Sequence, residues 1–120
     1  MSKFKLIKLI PEFEKDFKKL LKRFTTLETD LVTFINTKLY LYHKLHMDNE
    51  GISPLHEMYF DDNKFYISRK FACRAMSGKG VNSNIRVVYQ YKREEDKLKL
   101  IEIFYIGDKE IEDRDRLIKY

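Results

Sequence analysis

The period of the hydrophobic pattern changes along this chain, and that change constrains the fold more than any other feature. Between residues 11 and 46 apolar side chains recur every three or four positions, which is the spacing of one helix face. Between residues 64 and 106 they alternate, which is the spacing of β-strands. A short apolar run at residues 3–10, KFKLIKLI, precedes the helical part and predicts a first strand. The chain is therefore predicted to be an α+β protein.

Two adjacent amphipathic helices are predicted in the first half of the chain. Pro11 suits the opening position of the first helix. The apolar face of that helix consists of Phe13, Phe17, Leu20, Leu21 and Phe24. Thr25 and Glu28 have the spacing of a capping box, so the second helix is predicted to begin near Thr26 and to continue to about residue 46. With almost no linker between them, the helices predict an αα-hairpin whose apolar stripes face a common core.

Three strand-like segments follow an irregular connection at residues 47–63. They are KFYISRKFAC (64–73), NIRVVYQYK (84–92) and KLKLIEIFYI (97–106). REED, at residues 93–96, is predicted to form the hairpin turn between the last two. Asp108 is predicted to cap a final short helix. The predicted order is β-α-α-β-β-β-α, in one domain that spans residues 1–120.

Composition narrows the class of partner. The net charge of +5 and the pI of about 9.2 favour a polyanion: nucleic acid first, then an acidic protein or an anionic membrane surface. A single cysteine, Cys73, excludes an internal disulfide framework and a cysteine-rich zinc site, and it is predicted to pack as a small apolar side chain. No apolar run is long enough to span a bilayer, and no signal peptide is recognisable. We therefore expect a soluble cytoplasmic protein with no membrane partner.

Basic residues flank a polar loop in KFACRAMSGKGVNSNIRVVYQY, residues 70–91. By alternation, Lys70 and Arg74 share one face of the first strand, and Arg86 lies on the less apolar face of the next. If those faces lie on the same side of the sheet, the three cations cluster on an open face, with Lys79 on the rim loop. The plain alternatives are that Lys70 is solvated and that Arg86 is a paired half-buried cation. A register slip of one residue would scatter the cluster.

Other motifs predict less. SGKG lacks the glycine spacing and the following helix of a phosphate-binding loop. His43, His46 and His56 have no conventional ligand spacing, so they are predicted to be packing or surface residues, and neither a metal nor another cofactor is predicted. Arg69 interrupts an apolar strand face. Tyrosines on the strands, Tyr91 among them, could stack on nucleic-acid bases.

The second half of the chain resembles the RelE/ParE superfamily of toxins from bacterial type II toxin–antitoxin systems. The resemblance rests on FACRAMSGKGVNSNIRVVYQY followed by LKLIEIFYIGDKEIEDRDR, and it is strongest from Phe71 to Arg116. The preceding strand and helices match in order, so it covers most of the chain. It implies the RelE-like microbial RNase fold, a helical hairpin packed on a twisted antiparallel β-sheet. It also implies a cognate antitoxin that binds the chain in a toxin–antitoxin hetero-oligomer.

RelE-like members are metal-independent endoribonucleases, or mRNA interferases, that cut mRNA on the ribosome and so inhibit translation. Two alternatives remain at this point: a ParE-like toxin that poisons DNA gyrase, and a catalytically silent RNA- or protein-binding module of the same fold. The His–Tyr pair that some members carry after the last strand is absent, because Ile106 and Gly107 stand there. A C-terminal tyrosine of other members also has no clear match, so the general base is unassigned.

The resemblance implies roles for particular residues. Arg86 matches the strand arginine of the family and is the leading candidate to stabilise charge on a scissile phosphate. Lys109 falls near a second basic position. Lys70 and Arg74 lie on the strand that supplies basic residues in RelE-like toxins. The predicted RNA-binding residues are Lys79, Arg69 and Tyr91.

Overall fold

A computed structural model describes residues 3–47, 51–55, 65–76, 78, 80 and 82–119. The strands are β1 (Leu6–Leu9), β2 (Ile52–Pro54), β3 (Phe65–Ser68), β4 (Ile85–Lys92) and β5 (Lys97–Tyr105). They form one sheet in the order β1-β5-β4-β3-β2. The helices are α1 (Pro11–Leu21), α2 (Leu27–Phe34), α3 (Tyr40–His43) and α4 (Arg114–Lys119), with a π-helical segment (Ile35–Leu39) between α2 and α3. The predicted α+β class is confirmed, with one strand, β2, added to the predicted order.

The helical hairpin forms as predicted, with a different start to its second arm. The arm begins at Leu27 after Thr26, but the side chain of Thr26 does not cap it. The Thr26 hydroxyl donates instead to Asp30 Oδ2 at 2.6 Å and accepts from the backbone N–H of Ala75 at 2.8 Å. The capping box predicted at Thr25 and Glu28 is therefore wrong, because the N-cap is Thr26 and no side chain caps the helix there. Thr26 instead ties the helix to the segment that follows β3.

The sheet contains one strand beyond those predicted, and one of its pairings is parallel where an antiparallel sheet was predicted. β2 lies within the predicted irregular connection; it is three residues long and pairs antiparallel with β3 at the edge of the sheet, where Pro54 is tolerated. β1 pairs with β5 in parallel, and the remaining pairs are antiparallel. β3 ends at Ser68, five residues earlier than predicted. The hairpin turn at residues 93–96 is confirmed, and Asp96 adopts a φ of 50° there.

The register divides the side chains of β3, β4 and β5 between two faces, because directly paired residues project to the same side of a sheet. The helices cover one of them, since His43 of α3 contacts Tyr89 and Phe24 packs against Tyr105. We call it the helix-covered face, and it includes Tyr66, Ser68, Val87, Tyr89, Tyr91, Leu100, Ile103 and Tyr105. We call the other the Arg86 face, and it includes Phe65, Ile67, Arg86, Val88, Gln90, Glu102 and Phe104.

The C-terminal segment crosses one side of the Arg86 face. α4 begins at Arg114, so Asp108 does not cap it, contrary to the prediction. Asp113 takes that position, and its Oδ1 accepts from the backbone N–H of Arg116 at 3.2 Å. Arg116 then donates to the backbone carbonyl of Ile101 in β5 at 3.0 Å. In the part of the chain that the structure describes, no helix has the length and apolar character needed to cross a membrane.

A candidate anion-binding site on the Arg86 face

Arg86 lies on β4, a central strand of the sheet, and has no ion-pair partner among the residues that the structure describes. It belongs to β4 and pairs with Phe104 of β5, and its side chain is half-buried. Its Nε atom is buried and has no hydrogen-bond partner. Among the described residues no carboxylate forms an ion pair with Arg86. The alternative prediction, a half-buried cation paired with an acid, is therefore not observed in this part of the chain. A buried N–H donor without a partner is unfavourable, and a bound anion would relieve that cost.

Arg69 follows β3, the strand next to that of Arg86. Ser68, the last residue of β3, pairs with Val87, and this register continued by one residue would set Arg69 opposite Arg86. Its backbone N–H donates to Gly51 at 2.8 Å, and its Nη1 donates to Ser53 Oγ at 2.6 Å. The side chain is exposed, and Ser53 is itself paired with a residue of the Arg86 face. The sequence prediction placed Arg69 on a strand face, and the register shows that this face is the one that carries Arg86.

Lys109 returns to the Arg86 face after β5 ends. The chain reverses at residues 106–108, and the backbone N–H of Lys109 donates to the Tyr105 carbonyl at 3.2 Å. Its Nζ lies 5.2 Å from the centroid of the Phe104 ring, which is the cross-strand partner of Arg86. The Lys109 side chain is 42% exposed and forms an ion pair with the carboxylate of Glu102. Arg86 is thus the cross-strand partner of the aromatic residue whose ring Lys109 contacts.

Glu102 is a residue of this face that the sequence prediction missed. It lies in β5, opposite Val88, and its side chain is only 3% exposed. One carboxylate oxygen, Oε2, accepts from Lys109 Nζ, and the other, Oε1, accepts from the backbone N–H of Asp113 at 2.8 Å. The signal available in the sequence was an acid inside the apolar run LIEIF, a position where an unpaired carboxylate would be costly.

The predicted cluster of Lys70, Arg74 and Arg86 is wrong. Tyr66 pairs with Tyr89, so the strand face assigned to Lys70 and Arg74 lies with the helix-covered face and not with Arg86. β3 also ends before either residue. Arg74 is instead in a turn beside α2, where its Nε contacts Asp30 Oδ1 at 3.2 Å. The stem of Lys70 packs over Gly51.

Tyr91 and Lys79, two of the predicted RNA-binding residues, have different outcomes. Tyr91 is on the helix-covered face and 8% exposed, packed edge-on against Phe4 with ring centroids 5.7 Å apart. Burial, together with the hydrogen bond from its hydroxyl to Asp96, raises the pKa of Tyr91 to about 12. Its ring is therefore part of the core and is not available for stacking on RNA. Lys79 lies outside the described residues.

The histidine and cysteine predictions agree with the structure where it describes them. His43 is a packing residue whose Nε2 lies 2.7 Å from the Tyr89 hydroxyl, and His46 is exposed. His56 lies outside the described residues. Within the described ranges, no three His, Cys, Asp or Glu side chains are grouped to hold a metal ion. Cys73 is buried at 2% exposure, as predicted, and its burial raises the pKa of its thiol.

Comparison with known proteins bears on the fold. No family model and no curated protein sequence matches the chain. The structure is similar to a chain of the RelBE2 toxin–antitoxin complex from Mycobacterium tuberculosis, with a TM-score of 0.50 and 14% sequence identity. The match covers 88% of this chain and 93% of that one. The chain has the RelE-type toxin fold.

The RelE-type fold thus predicted from the sequence is confirmed, and it places three cations and a carboxylate on one face of its sheet. Arg86 is the cross-strand partner of Phe104, Lys109 Nζ lies 5.2 Å from the centroid of that ring, and Arg69 follows β3 on the other side of β4. Glu102 is the buried acid among them. Cations held in place before the substrate arrives stabilise charge that develops in a transition state, because no reorganisation is then needed. The arrangement is suited to bind an anion such as a phosphate diester.

Proposed function

We propose that this chain is the toxin of a type II toxin–antitoxin system and that it is a metal-independent, ribosome-dependent mRNA endoribonuclease. The observation that carries the proposal is Arg86, a half-buried cation without an anionic partner in the described part of the chain, with Arg69 opposite it. The RelE-type fold and the net charge of +5 support it.

The proposed reaction is internal transfer at a phosphodiester of mRNA. The 2′-hydroxyl of one nucleotide loses its proton to a base and attacks the adjacent phosphorus. The bond to the 5′-oxygen of the next nucleotide then breaks, and that oxygen takes up a proton. The products are a 2′,3′-cyclic phosphate and a 5′-hydroxyl. Negative charge accumulates on the phosphoryl oxygens of the pentavalent transition state, where Arg86 and Lys109 would stabilise it.

Arg69 has a different proposed role from Arg86. It is exposed at the edge of the Arg86 face, next to Ser53 of β2. A cation at that position would bind the phosphate next to the scissile one and so fix the register of the RNA strand. Lys79 and Lys70 stay candidates for contacts with RNA outside the face.

The proposed protein partner is a cognate antitoxin that inactivates the chain in a hetero-oligomer. The similar RelBE2 structure is a toxin–antitoxin complex, which motivates this proposal. Because the Arg86 face is cationic, an antitoxin segment with carboxylates would both compensate its charge and exclude RNA from it.

Primer extension on a reporter mRNA in a bacterial translation extract tests the proposed function. The wild type should produce cuts that require ribosomes, and Arg86→Ala should lower the cutting rate at least about a hundredfold. Arg93→Ala is the matched control, since Arg93 is an exposed arginine in the β4–β5 turn, away from this face. Intact cutting by Arg86→Ala, or no cutting by folded wild type, would contradict the proposal.

A ParE-like action on DNA gyrase is the second candidate. The observation that favours it is the presence of Ile106 and Gly107 where some RNA-cleaving members carry a His–Tyr pair. A supercoiling assay with purified gyrase separates the two, because only the second candidate predicts inhibition. A folded wild type that neither cuts mRNA nor inhibits gyrase would be the silent binding module.

A further inference from the structure

We propose that Glu102 is a positioning residue of the Arg86 face and that it acts by holding the ammonium of Lys109 where the transition state needs it. The proposal rests on the proposed function and adds a residue to it. Glu102 belongs to no recognisable motif, and its role follows from its surroundings in the fold.

The carboxylate of Glu102 is fixed from the side of the C-terminal segment. Its Oε1 accepts from the backbone N–H of Asp113 at 2.8 Å. The Asp113 side chain accepts in turn from the backbone N–H of Arg116 at 3.2 Å. Arg116 is itself anchored, since its guanidinium donates to Asp16 Oδ2 of α1 at 2.7 Å and to the carbonyl of Ile101 at 3.0 Å. With one oxygen held in this way, the other is left facing Lys109.

Lys109 needs such a partner because its own position is weakly determined. It follows the turn after β5, its side chain is 42% exposed, and a lysine stem has four rotatable carbons. Two contacts place its Nζ: the ion pair with Glu102 and the Phe104 ring at 5.2 Å. An ammonium has three N–H donors, so one bond to Glu102 leaves donors for a phosphoryl oxygen.

The register of β4 and β5 also places Glu102 near Arg86. Glu102 pairs with Val88, and Phe104 pairs with Arg86, in the next row along the same two strands. Glu102 is therefore the diagonal neighbour of Arg86, and diagonal neighbours in adjacent strands stand about 7–8 Å apart. Glu102 thus holds Lys109 beside Phe104, the cross-strand partner of Arg86.

The substitution Glu102→Gln tests whether the carboxylate positions Lys109 or the side chain only fills a buried space. Glu102→Gln keeps the volume and one acceptor, which the fixed N–H of Asp113 can occupy. The amide nitrogen would then face the Lys109 ammonium, so the two donors repel and Lys109 is released. Lys109→Met removes the cation and keeps the stem, and Lys109→Arg keeps a cation that can still reach Glu102.

The experiment is a double-mutant cycle on single-turnover cleavage of a reporter mRNA on purified ribosomes, with rates taken at saturating toxin. Lys109→Met should lower the rate about a hundredfold, as the loss of one charge-stabilising donor does. Glu102→Gln should lower it about tenfold through misplacement of that donor. In the Lys109→Met background Glu102→Gln should have no further effect, because its only route is then gone. In the Lys109→Arg background the tenfold effect should persist.

Two further readouts exclude a merely structural role. The toxin concentration at half-maximal rate should change little in Glu102→Gln, since the lost interaction is one made in the transition state. Thermal unfolding should show each variant folded at the assay temperature. A structural role would instead reduce the rate in both backgrounds alike.

The outcomes distinguish this inference from the function on which it rests. If the two losses multiply in the double variant, Glu102 does not act through Lys109, and the inference fails while the proposed function stands. A Glu102→Gln rate at or above that of the wild type would also overturn it, because the carboxylate would then repel the RNA. If folded wild type does not cut mRNA, the proposed function fails and this inference fails with it.

Discussion

Arg69 directly follows Ser68, which forms the last pair of β3 and β4 with Val87, so the register continued by one residue sets Arg69 opposite Arg86. Like charges at directly opposed positions destabilise a sheet. Neither the hydrogen bond of Arg69 to Ser53 nor the packing of Arg86 on β5 brings a carboxylate between them. The apposition therefore marks the place where we expect an RNA phosphate to bind.

We expect alanine substitutions of Arg69 and Arg74 to have different effects on cleavage, although the sequence predicted an RNA-related role for both. Arg69→Ala should lower mRNA cleavage about tenfold, because it removes a cation next to the scissile phosphate. Arg74→Ala should keep the cleavage rate and lower the free energy of unfolding by about 1 kcal/mol, since its ion pair with Asp30 is 71% exposed on the arginine side. Primer extension and chemical denaturation measure the two effects. Loss of cleavage in Arg74→Ala with normal stability would contradict the face assignment.

The buried histidine predicts how stability depends on pH. Burial of His43, with a smaller contribution from His46, lowers its pKa from the ordinary value of 6.5 to about 4. Between these values the unfolded chain binds a proton that the folded chain does not. The free energy of unfolding should therefore fall as the pH drops from 6.5 towards 4, by up to about 3 kcal/mol, with no contribution from this group above that window.

Denaturation curves across that pH range test the histidine prediction. His43→Gln should flatten the pH dependence, whereas His46→Gln, at an exposed position, should leave most of it. Tyr89→Phe should lower stability by about 1–3 kcal/mol near neutral pH, because it removes the hydroxyl that lies 2.7 Å from His43 Nε2. An unchanged slope in His43→Gln would assign the pH dependence to other groups.

We expect substitutions of Asp96, in the β4–β5 turn, to lower the free energy of unfolding. Its Oδ2 accepts from the backbone N–H of Lys5 at 3.1 Å and from the Lys44 ammonium at 2.6 Å, and its Oδ1 accepts from the Tyr91 hydroxyl at 3.0 Å. It also adopts a φ of 50°, a conformation in which Asp and Asn are enriched. Asp96→Asn should cost about 1 kcal/mol of unfolding free energy, and Asp96→Ala about 3 kcal/mol. If Asp96→Asn and Asp96→Ala lose the same unfolding free energy, the prediction that the backbone conformation adds to the effect of the hydrogen bonds is wrong.

We expect a substitution of Gly107, in the turn after β5, to affect both stability and the position of Lys109. A β-carbon at this position would overlap Cε2 of Tyr105, so the ring would have to move from its contact with Phe24, at 5.4 Å between centroids. Gly107→Ala should therefore destabilise the fold by about 1–3 kcal/mol and lower cleavage by displacing Lys109. Thermal unfolding and cleavage assays check both. Tyr105→Leu should remove much of the penalty, and a full penalty in that background would point to another cause.

The sequence was a good guide to what lies within each strand and a poor guide to how strands align. Alternation correctly predicted that Arg86 and Tyr89 project to opposite faces of the sheet. It also put Arg69 on the same face as Ile67. The relative register of β3 and β4 depends on packing against the helices, and a shift of one residue exchanges every face. That is why Arg86 was grouped with Lys70 and not with Arg69.

Two other features could not be predicted for related reasons. β2 has three residues, which is too short for any period to be recognised, and its pairing with β3 supplies the evidence for it. Glu102 is informative only once Lys109 and Asp113 are seen to meet it. The spacing of these residues along the chain carries no motif, because a turn and a non-helical segment separate them.

The parallel pairing of β1 with β5 has a consequence for synthesis. Lys5 and Asp96, which meet where these strands adjoin, are separated by 91 residues. Contacts between residues so distant in the chain form slowly, since a long loop must close before any stabilising contact is gained. Arg86 belongs to β4 and Lys109 follows β5, so the proposed site needs both strands. We therefore expect a nascent chain to be harmless to the ribosome that makes it until β5 and the segment up to Lys109 have left the ribosome.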